Sequence, residues 1–213
     1  MKITRFKVNP FEEMCYILWH EDEKDAYIVD PGMMYDAERE MVDKFITDHK
    51  LNVKKVLVTH MHVDHVASAT WAAKHYGASI DASKNDEFMG KSLNVQAQMF
   101  GLNITVDDIT INSYLQDGDK LELNGETIEV METPGHSKGS LSFYSKESES
   151  IIVGDLVFNG SIGRTDLLGG DYDELISAVK GKILPLPADT IICPGHGNIT
   201  TVKDEKNNNP FLA

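Results

Sequence analysis

Thr59-His60-Met61-His62-Val63-Asp64-His65 places four potential metal ligands within six residues, between an apolar run and the start of a helical pattern. The run before it, Val53–Thr59 with its VLVT, predicts a buried strand. In an extended segment residues 60, 62 and 64 project to one side. Once the chain curls into a helix near Val66, His65 swings to that side as well. His60 and His62 can then converge on one ion while Asp64 and His65 reach a second. Imidazole and carboxylate together suit zinc, iron or manganese, and no cysteine is close enough in sequence to join. A solvated loop with Asp64 capping the helix is the alternative, but this stretch holds three of the chain's eight histidines.

Three single residues stand where the same site needs them. His136 lies in Thr133-Pro134-Gly135-His136-Ser137 after the strand-like TIEVM, Asp155 follows IIVG, and His196 follows IICPG. Each sits at the C-terminal end of an apolar strand on a Gly-bearing loop, where α/β proteins place their sites. Alone, each reads as a turn residue. Beside the four-ligand cluster they make five histidines and two aspartates, enough for two ions, a bridging carboxylate and solvent.

Outward from the cluster, Val66–Tyr76 predicts a helix stopped by Gly77, and Ala78–Asp81 a short strand. Ile3–Val8, Cys15–Trp19 and Ala26–Val29 read as strands, the last two joined by the charged turn 20–25. Asp36 to about His49 carries apolar residues at helical spacing. Residues 85–115 start helical and become irregular. Asn124-Gly125 between Leu121–Leu123 and Thr127–Met131 is a strong hairpin signal. Ser140–Tyr144, Ile151–Val153 and Thr190–Cys193 are expected strands, and Tyr172–Lys182 a helix. Two sheets covered by helices, an α/β layer arrangement, follow from this order.

The chain has 213 residues, 41% hydrophobic and 25% charged, which excludes wholesale disorder. No apolar stretch reaches the length of a membrane-spanning helix. MKITRFKVNPFEE has no apolar core after its basic residues, so no secretion signal is expected and the cytoplasm is the expected location. A net charge of −14 repels phosphate backbones and argues against nucleic acid as the main partner. Cys15 and Cys193, in apolar strands, are expected to be buried reduced thiols. No linker or repeat divides the chain, so residues 1–213 are expected to form a single domain.

T-H-x-H-x-D-H, then T-P-G-H, G-D and G-H-G resembles the metallo-β-lactamase superfamily signature, over essentially the whole chain. The resemblance implies an αββα four-layer sandwich with the metals at one edge of the sheets. It also implies that His60, His62 and His136 bind a first metal, Asp64, His65 and His196 a second, and that Asp155 bridges. The oxygenase-like diiron branch commonly has Glu where His62 stands. Gly154-Asp155-Leu156-Val157-Phe158, Gly160-Ser161-Ile162-Gly163-Arg164-Thr165-Asp166 and Asn209-Pro210-Phe211-Leu212 resemble the short type II glyoxalases, which hydrolyse glutathione thioesters. In full-length members a basic residue at the position of Arg164 contacts a glutathione carboxylate, a role its planar fork suits. Two departures bear on glutathione: Asp166 replaces a tyrosine common in full-length members, and no C-terminal helical glutathione-binding domain is expected.

The leading expectation is therefore a dinuclear hydrolase of thioesters of the S-D-lactoylglutathione type. It would act through a metal-bridging hydroxide on a small-molecule substrate. Zinc is the expected metal, with iron or manganese as alternatives, and Asp64 would orient the hydroxide as the catalytic side chain. A mononuclear iron persulfide dioxygenase on the same fold is the competing enzyme. A binding protein with a purely structural metal site is the competing class, although such sites are normally closed and tetrahedral. His20, His49 and His75 are read as surface residues, Met33, Met34, Met89 and Met99 as core, and Lys138 as exposed. Asp30 is left open between a turn residue and a support of the metal site. The sequence does not fix the oligomeric state.

Overall fold

The computed structural model describes residues 1–212; Ala213, the last residue of the expected domain, lies outside the described residues. In chain order the strands are β1 (Lys2–Val8), β2 (Glu13–Trp19), β3 (Asp25–Val29), β4 (Asn52–Leu57), β5 (Ser79–Ala82), β6 (Ser113–Tyr114) and β7 (Lys120–Leu123). They continue as β8 (Glu126–Glu132), β9 (Leu141–Ser145), β10 (Ser150–Gly154), β11 (Val157–Phe158), β12 (Ser161–Ile162), β13 (Ile191–Pro194) and β14 (Thr200–Thr201). The α-helices are α1 (Asp36–Asp48), α2 (Val63–Val66), α3 (Ala69–Tyr76), α4 (Glu87–Gly90), α5 (Leu93–Met99), α6 (Tyr172–Ala178) and α7 (Val202–Asn208).

Two six-stranded mixed sheets form, in the orders β1-β2-β3-β4-β5-β6 and β14-β13-β10-β9-β8-β7. In the first, β1, β2 and β3 pair antiparallel, and β3 through β6 pair parallel. In the second, β10 and β13 are parallel and the remaining neighbours antiparallel.

The side-chain alternation of the strands creates the layers. In β2, Cys15, Ile17 and Trp19 pack with Val42 and Ile46 of α1 on the outer face of the first sheet. Tyr16 and Leu18 face the other way, meeting Leu123, Ile128, Val130 and Phe143 of the second sheet. On that sheet's far side Ile151, Val153 and Ile192 pack against Leu175 of α6 and Val202 of α7. Three apolar layers separate four structural ones, which is the αββα sandwich expected. Every residue of β2 is buried because both its faces are covered.

Several expectations are refined. The helix expected over Val66–Tyr76 begins earlier and is broken, α2 ending before Ser68 and α3 starting after it. Ser68 donates to the Met33 carbonyl and its amide to Pro31, which turns the chain there. Gly77 ends α3 with φ +68, as expected. The helix expected over Tyr172–Lys182 is α-helical only to Ala178 and then widens into a π turn, Val179–Ile183. α7 was not anticipated because only Val202 and Glu205 of its seven residues are buried; the Thr201 cap on Asp204 was the available signal. Met33, Met34 and Met89 are core, whereas Met99 is 74% exposed, contrary to expectation, at the C-terminal end of α5. Cys15 and Cys193 are buried and free. Lys138, His49 and His75 are exposed; His20 is half-buried against Glu126.

Candidate metal centre

The seven ligand-capable residues come from five loops and helix starts at one end of the two sheets. The loop after β4 carries His60 and His62, and α2 carries Asp64 and His65; β8, β10 and β13 lead to His136, Asp155 and His196. Backbone bonds lock these loops together: Leu141 N to Thr59 O, Gly195 N to Gly154 O, and Met14 N to Gly195 O. Gly195 is pressed against the site so closely that a Cβ there would lie 2.3 Å from Asp155 Oδ1 and 2.6 Å from His65 Cε1. Only glycine fits.

His60, His62 and His136 form one group and Asp64, His65 and His196 another, each with donor atoms within 4.8 Å of one another. In the first, His62 Nδ1 lies 2.9 Å from His136 Nε2. The three rings are nearly perpendicular in pairs, at 86° to 89°, so their edges rather than their faces meet. In the second, His196 Nε2 lies 3.3 Å from Asp64 Oδ2 and 3.3 Å from His65 Nε2. Asp155 stands between them. Its Oδ2 is 3.6 Å from both His136 Nε2 and His196 Nε2, and its Oδ1 is 3.3 Å from His65 Nε2.

Four of the five imidazoles are held by their second nitrogen. His60 Nδ1 bonds Thr59 Oγ1, His65 Nδ1 meets Asp30 Oδ2, His136 Nδ1 donates to the Arg164 carbonyl, and His196 Nδ1 to the Phe11 carbonyl. In each case Nε2 is left facing the centre. That outer bonding is how proteins fix the tautomer of a metal-binding histidine. His60 Nε2 and Asp155 Oδ1 are buried without a hydrogen-bond partner among the described residues, a costly state unless a cation completes it. The donor set and these orphaned atoms fit divalent metal ions.

Electrostatics points the same way. Burial, then the neighbouring His65, His136 and His62, hold the His60 imidazole well below its ordinary range. Burial and His136 bring His62 down to about 4. Neutral imidazole is the form that binds metal. Burial pushes Asp155 up, but the charge and hydrogen bond of His65, together with His136 and His196, outweigh it and hold the carboxyl far below its usual range. Burial lowers His65, yet Asp155 and Asp64 raise it more. A proton on His65 thus occupies a place the carboxylates would equally give to a metal ion.

Residues 8–196, a span containing all seven side chains, match the family described as the metallo-beta-lactamase superfamily. The chain belongs to that superfamily. It is 40% identical to the hydroxyacylglutathione hydrolase GloC of Haemophilus influenzae, over the whole chain and 98% of that protein. Among solved structures it is similar to the BLEG-1 B3 metallo-beta-lactamase, with 33% identity, TM-score 0.90 and full coverage of both chains. It is also similar to TTHA1623, solved in a di-iron-bound form, at 30% identity and TM-score 0.86, covering 98% of this chain and all of that one.

In this superfamily member a cleft of about 420 Å³ opens over the paired groups, walled by Phe11, Phe100, Phe158, Ile162 and Leu167. Phe11 and Phe100 meet edge-on at 5.5 Å. Arg164 lines the cleft, but its guanidinium is engaged: Nε donates to Asp166 Oδ1 at 2.7 Å and Nη2 to Oδ2 at 2.8 Å. Three further carboxylates are buried around the site, of which Asp86 and Glu13 have no place in the sequence reading. Asp30 proves to be a support of the site, accepting from Thr59 N, Thr59 Oγ1 and His65 Nδ1. Asp86 accepts from the loops on both sides of the three-histidine group. Glu13 is fully buried, 3.9 Å from His65 Nδ1, and neither of its oxygens has a partner among the described residues; burial pushes its carboxyl well up. Glu13 heading an otherwise apolar buried strand was the one sequence signal for it. No helix among the described residues is long and apolar enough to cross a membrane.

Proposed function

We propose that this chain is a dinuclear metal-dependent thioester hydrolase of the hydroxyacylglutathione type, with zinc as the expected metal. The observation that carries the proposal is Asp155, set within 3.6 Å of nitrogens from both donor groups. Likeness to GloC supplies the substrate class, and the di-iron form of TTHA1623 supports a pair of ions. In this reading His60, His62 and His136 hold one ion, Asp64, His65 and His196 the other, and Asp155 serves both. Metal ions held there would supply Lewis acidity, lowering the pKa of a water toward neutrality and polarising a thioester carbonyl. Residues 1–213 act as one unit because each group draws on loops of both sheets.

The chain's own residues do the orienting. Asp64 borders the cleft, and although burial pushes its carboxyl up, His65 and His196 hold it below the usual range and therefore charged. It accepts a hydrogen bond from the attacking water and fixes its direction. The aromatic wall of Phe11, Phe100 and Phe158 excludes bulk water and receives the apolar part of the substrate. Arg164 binds a carboxylate of the thiol moiety once Asp166 releases it. The water oxygen bonds to the carbonyl carbon, the C–S bond breaks, and acid and thiol leave.

The test is S-D-lactoylglutathione hydrolysis by zinc-, manganese- and iron-loaded protein, with metal content measured alongside. Turnover with two ions per chain is expected. Failure to cleave lactoylglutathione or any other thioester on any metal would overturn the reading. One iron per chain with oxygen uptake on a glutathione persulfide would replace it by the dioxygenase.

A further inference from the structure

Asp86 lies outside both donor groups, at the end of a 3₁₀ turn (Lys84–Asp86) that follows β5, with 1% of its surface exposed. Its carboxylate has three donors. Oδ2 accepts from Met61 N at 3.2 Å and from Ser137 Oγ at 2.7 Å, and Oδ1 accepts from Gly139 N at 2.7 Å. Met61 separates His60 from His62, and Ser137 follows His136. One buried side chain therefore ties the loop leaving β4 to the loop leaving β8. Those loops carry His62 and His136, whose nitrogens meet at 2.9 Å. The fit is close: a Cβ on Gly139 would lie 2.6 Å from Asp86 Cγ and 2.7 Å from Asp86 N.

We propose that Asp86 is a positioning residue for the three-histidine half of the centre, setting the affinity of that half without setting the other. The proposal rests on the reading that His60, His62 and His136 hold an ion. The asymmetry follows from connectivity. Among the described residues the Asp86 carboxylate hydrogen-bonds to neither α2, the source of Asp64 and His65, nor the His196 loop; Asp30 supports His65 and the Phe11 carbonyl supports His196. The chemistry requires a carboxylate. Two oxygens with free lone pairs serve three donors, whereas an amide in the same place offers one acceptor and turns its own N–H toward a donor. Asp86→Asn therefore breaks at least one tie and lets the two loops drift apart.

Cobalt(II) titration followed by its visible d–d spectrum separates the halves. In H196A the second group lacks a ligand and the spectrum reports the three-histidine group; in H136A it reports the other. Adding Asp86→Asn to H196A should weaken cobalt binding about tenfold or more, the cost typical of losing an outer support, and adding it to H136A should leave the affinity unchanged. Ser137→Ala, which removes one neutral donor and keeps both amide bonds, should shift the H196A titration the same way by a smaller factor; it carries the test if Asp86→Asn does not fold. Equal weakening in both backgrounds, or no change in either, would overturn the positioning role. A wild-type chain that takes up no cobalt would instead overturn the reading of the three histidines as ligands.

Discussion

Asp30 Oδ2 lies 3.0 Å from His65 Nδ1 while Oδ1 of the same carboxylate accepts the Thr59 amide at 2.7 Å. One buried side chain thus orients a donor of the second group and anchors the strand end that delivers His60. Asp30→Ala should lower metal affinity by about 10- to 100-fold and leave buried donors on Thr59 and His65 unsatisfied, each at a cost of about 1–3 kcal/mol. Isothermal titration with zinc and thermal melting of the metal-free protein check both parts; unchanged affinity would remove Asp30 from the site.

Asp155 lies within 3.6 Å of nitrogens from both groups, so under the proposed function its loss should be felt by both. Asp155→Ala should reduce bound metal below one ion per group and cut thioester turnover by more than about 100-fold, beyond the effect of removing a residue that only supports a ligand. Metal analysis after gel filtration decides it. Full occupancy with full turnover would contradict the sharing.

His62 gives a pH signature in the metal-free protein. Burial and His136 hold its imidazole at about 4, against an ordinary value of 6.5. Below pH 6.5 the unfolded chain gains a proton that the folded chain refuses until about pH 4, so this stability is present above pH 6.5 and lost as pH falls. Between pH 7 and 4 the metal-free wild type should lose about 3 kcal/mol more than His62→Gln. Urea unfolding at the two pH values measures the difference, and parallel losses would show that His62 is not held neutral.

Arg164 and Asp166 form an exposed ion pair, the side chains 54% and 68% accessible. Water screens such a pair and leaves it weak, so a substrate carboxylate can displace Asp166. Arg164→Ala should raise KM for a glutathione thioester about 3- to 10-fold with little change in kcat, and Asp166→Asn should lower it. A neutral thioester of the same acyl group should respond to neither. Identical KM values in all three proteins would make the pair a surface feature.

Local patterning in the sequence was enough for the layer architecture and for the clustered ligands. The short continuous apolar run Cys15–Trp19 marks a strand, and it becomes a doubly covered strand because both faces are apolar. The spacing of His60, His62, Asp64 and His65 implies convergence because strand and helix geometry fix side-chain directions over six residues. His136, Asp155 and His196 were legible only as strand-end residues; that they meet the cluster depends on which strands are neighbours. The break between α2 and α3 was not legible, because it arises where Ser68 bonds to Met33 and Pro31, on a distant turn.

What the chain carries in its order of residues is the ligand inventory and the two-sheet, helix-covered plan, since both depend on contacts within a few positions. Only the folded structure decided that Asp86 grips loops 25 and 51 residues away, that Glu13 lies beside His65 with no hydrogen-bond partner among the described residues, and that Arg164 is already held by Asp166. Those relationships come from the close approach of separate strand ends, and a buried carboxylate takes its role from whichever donors that packing brings within hydrogen-bond reach.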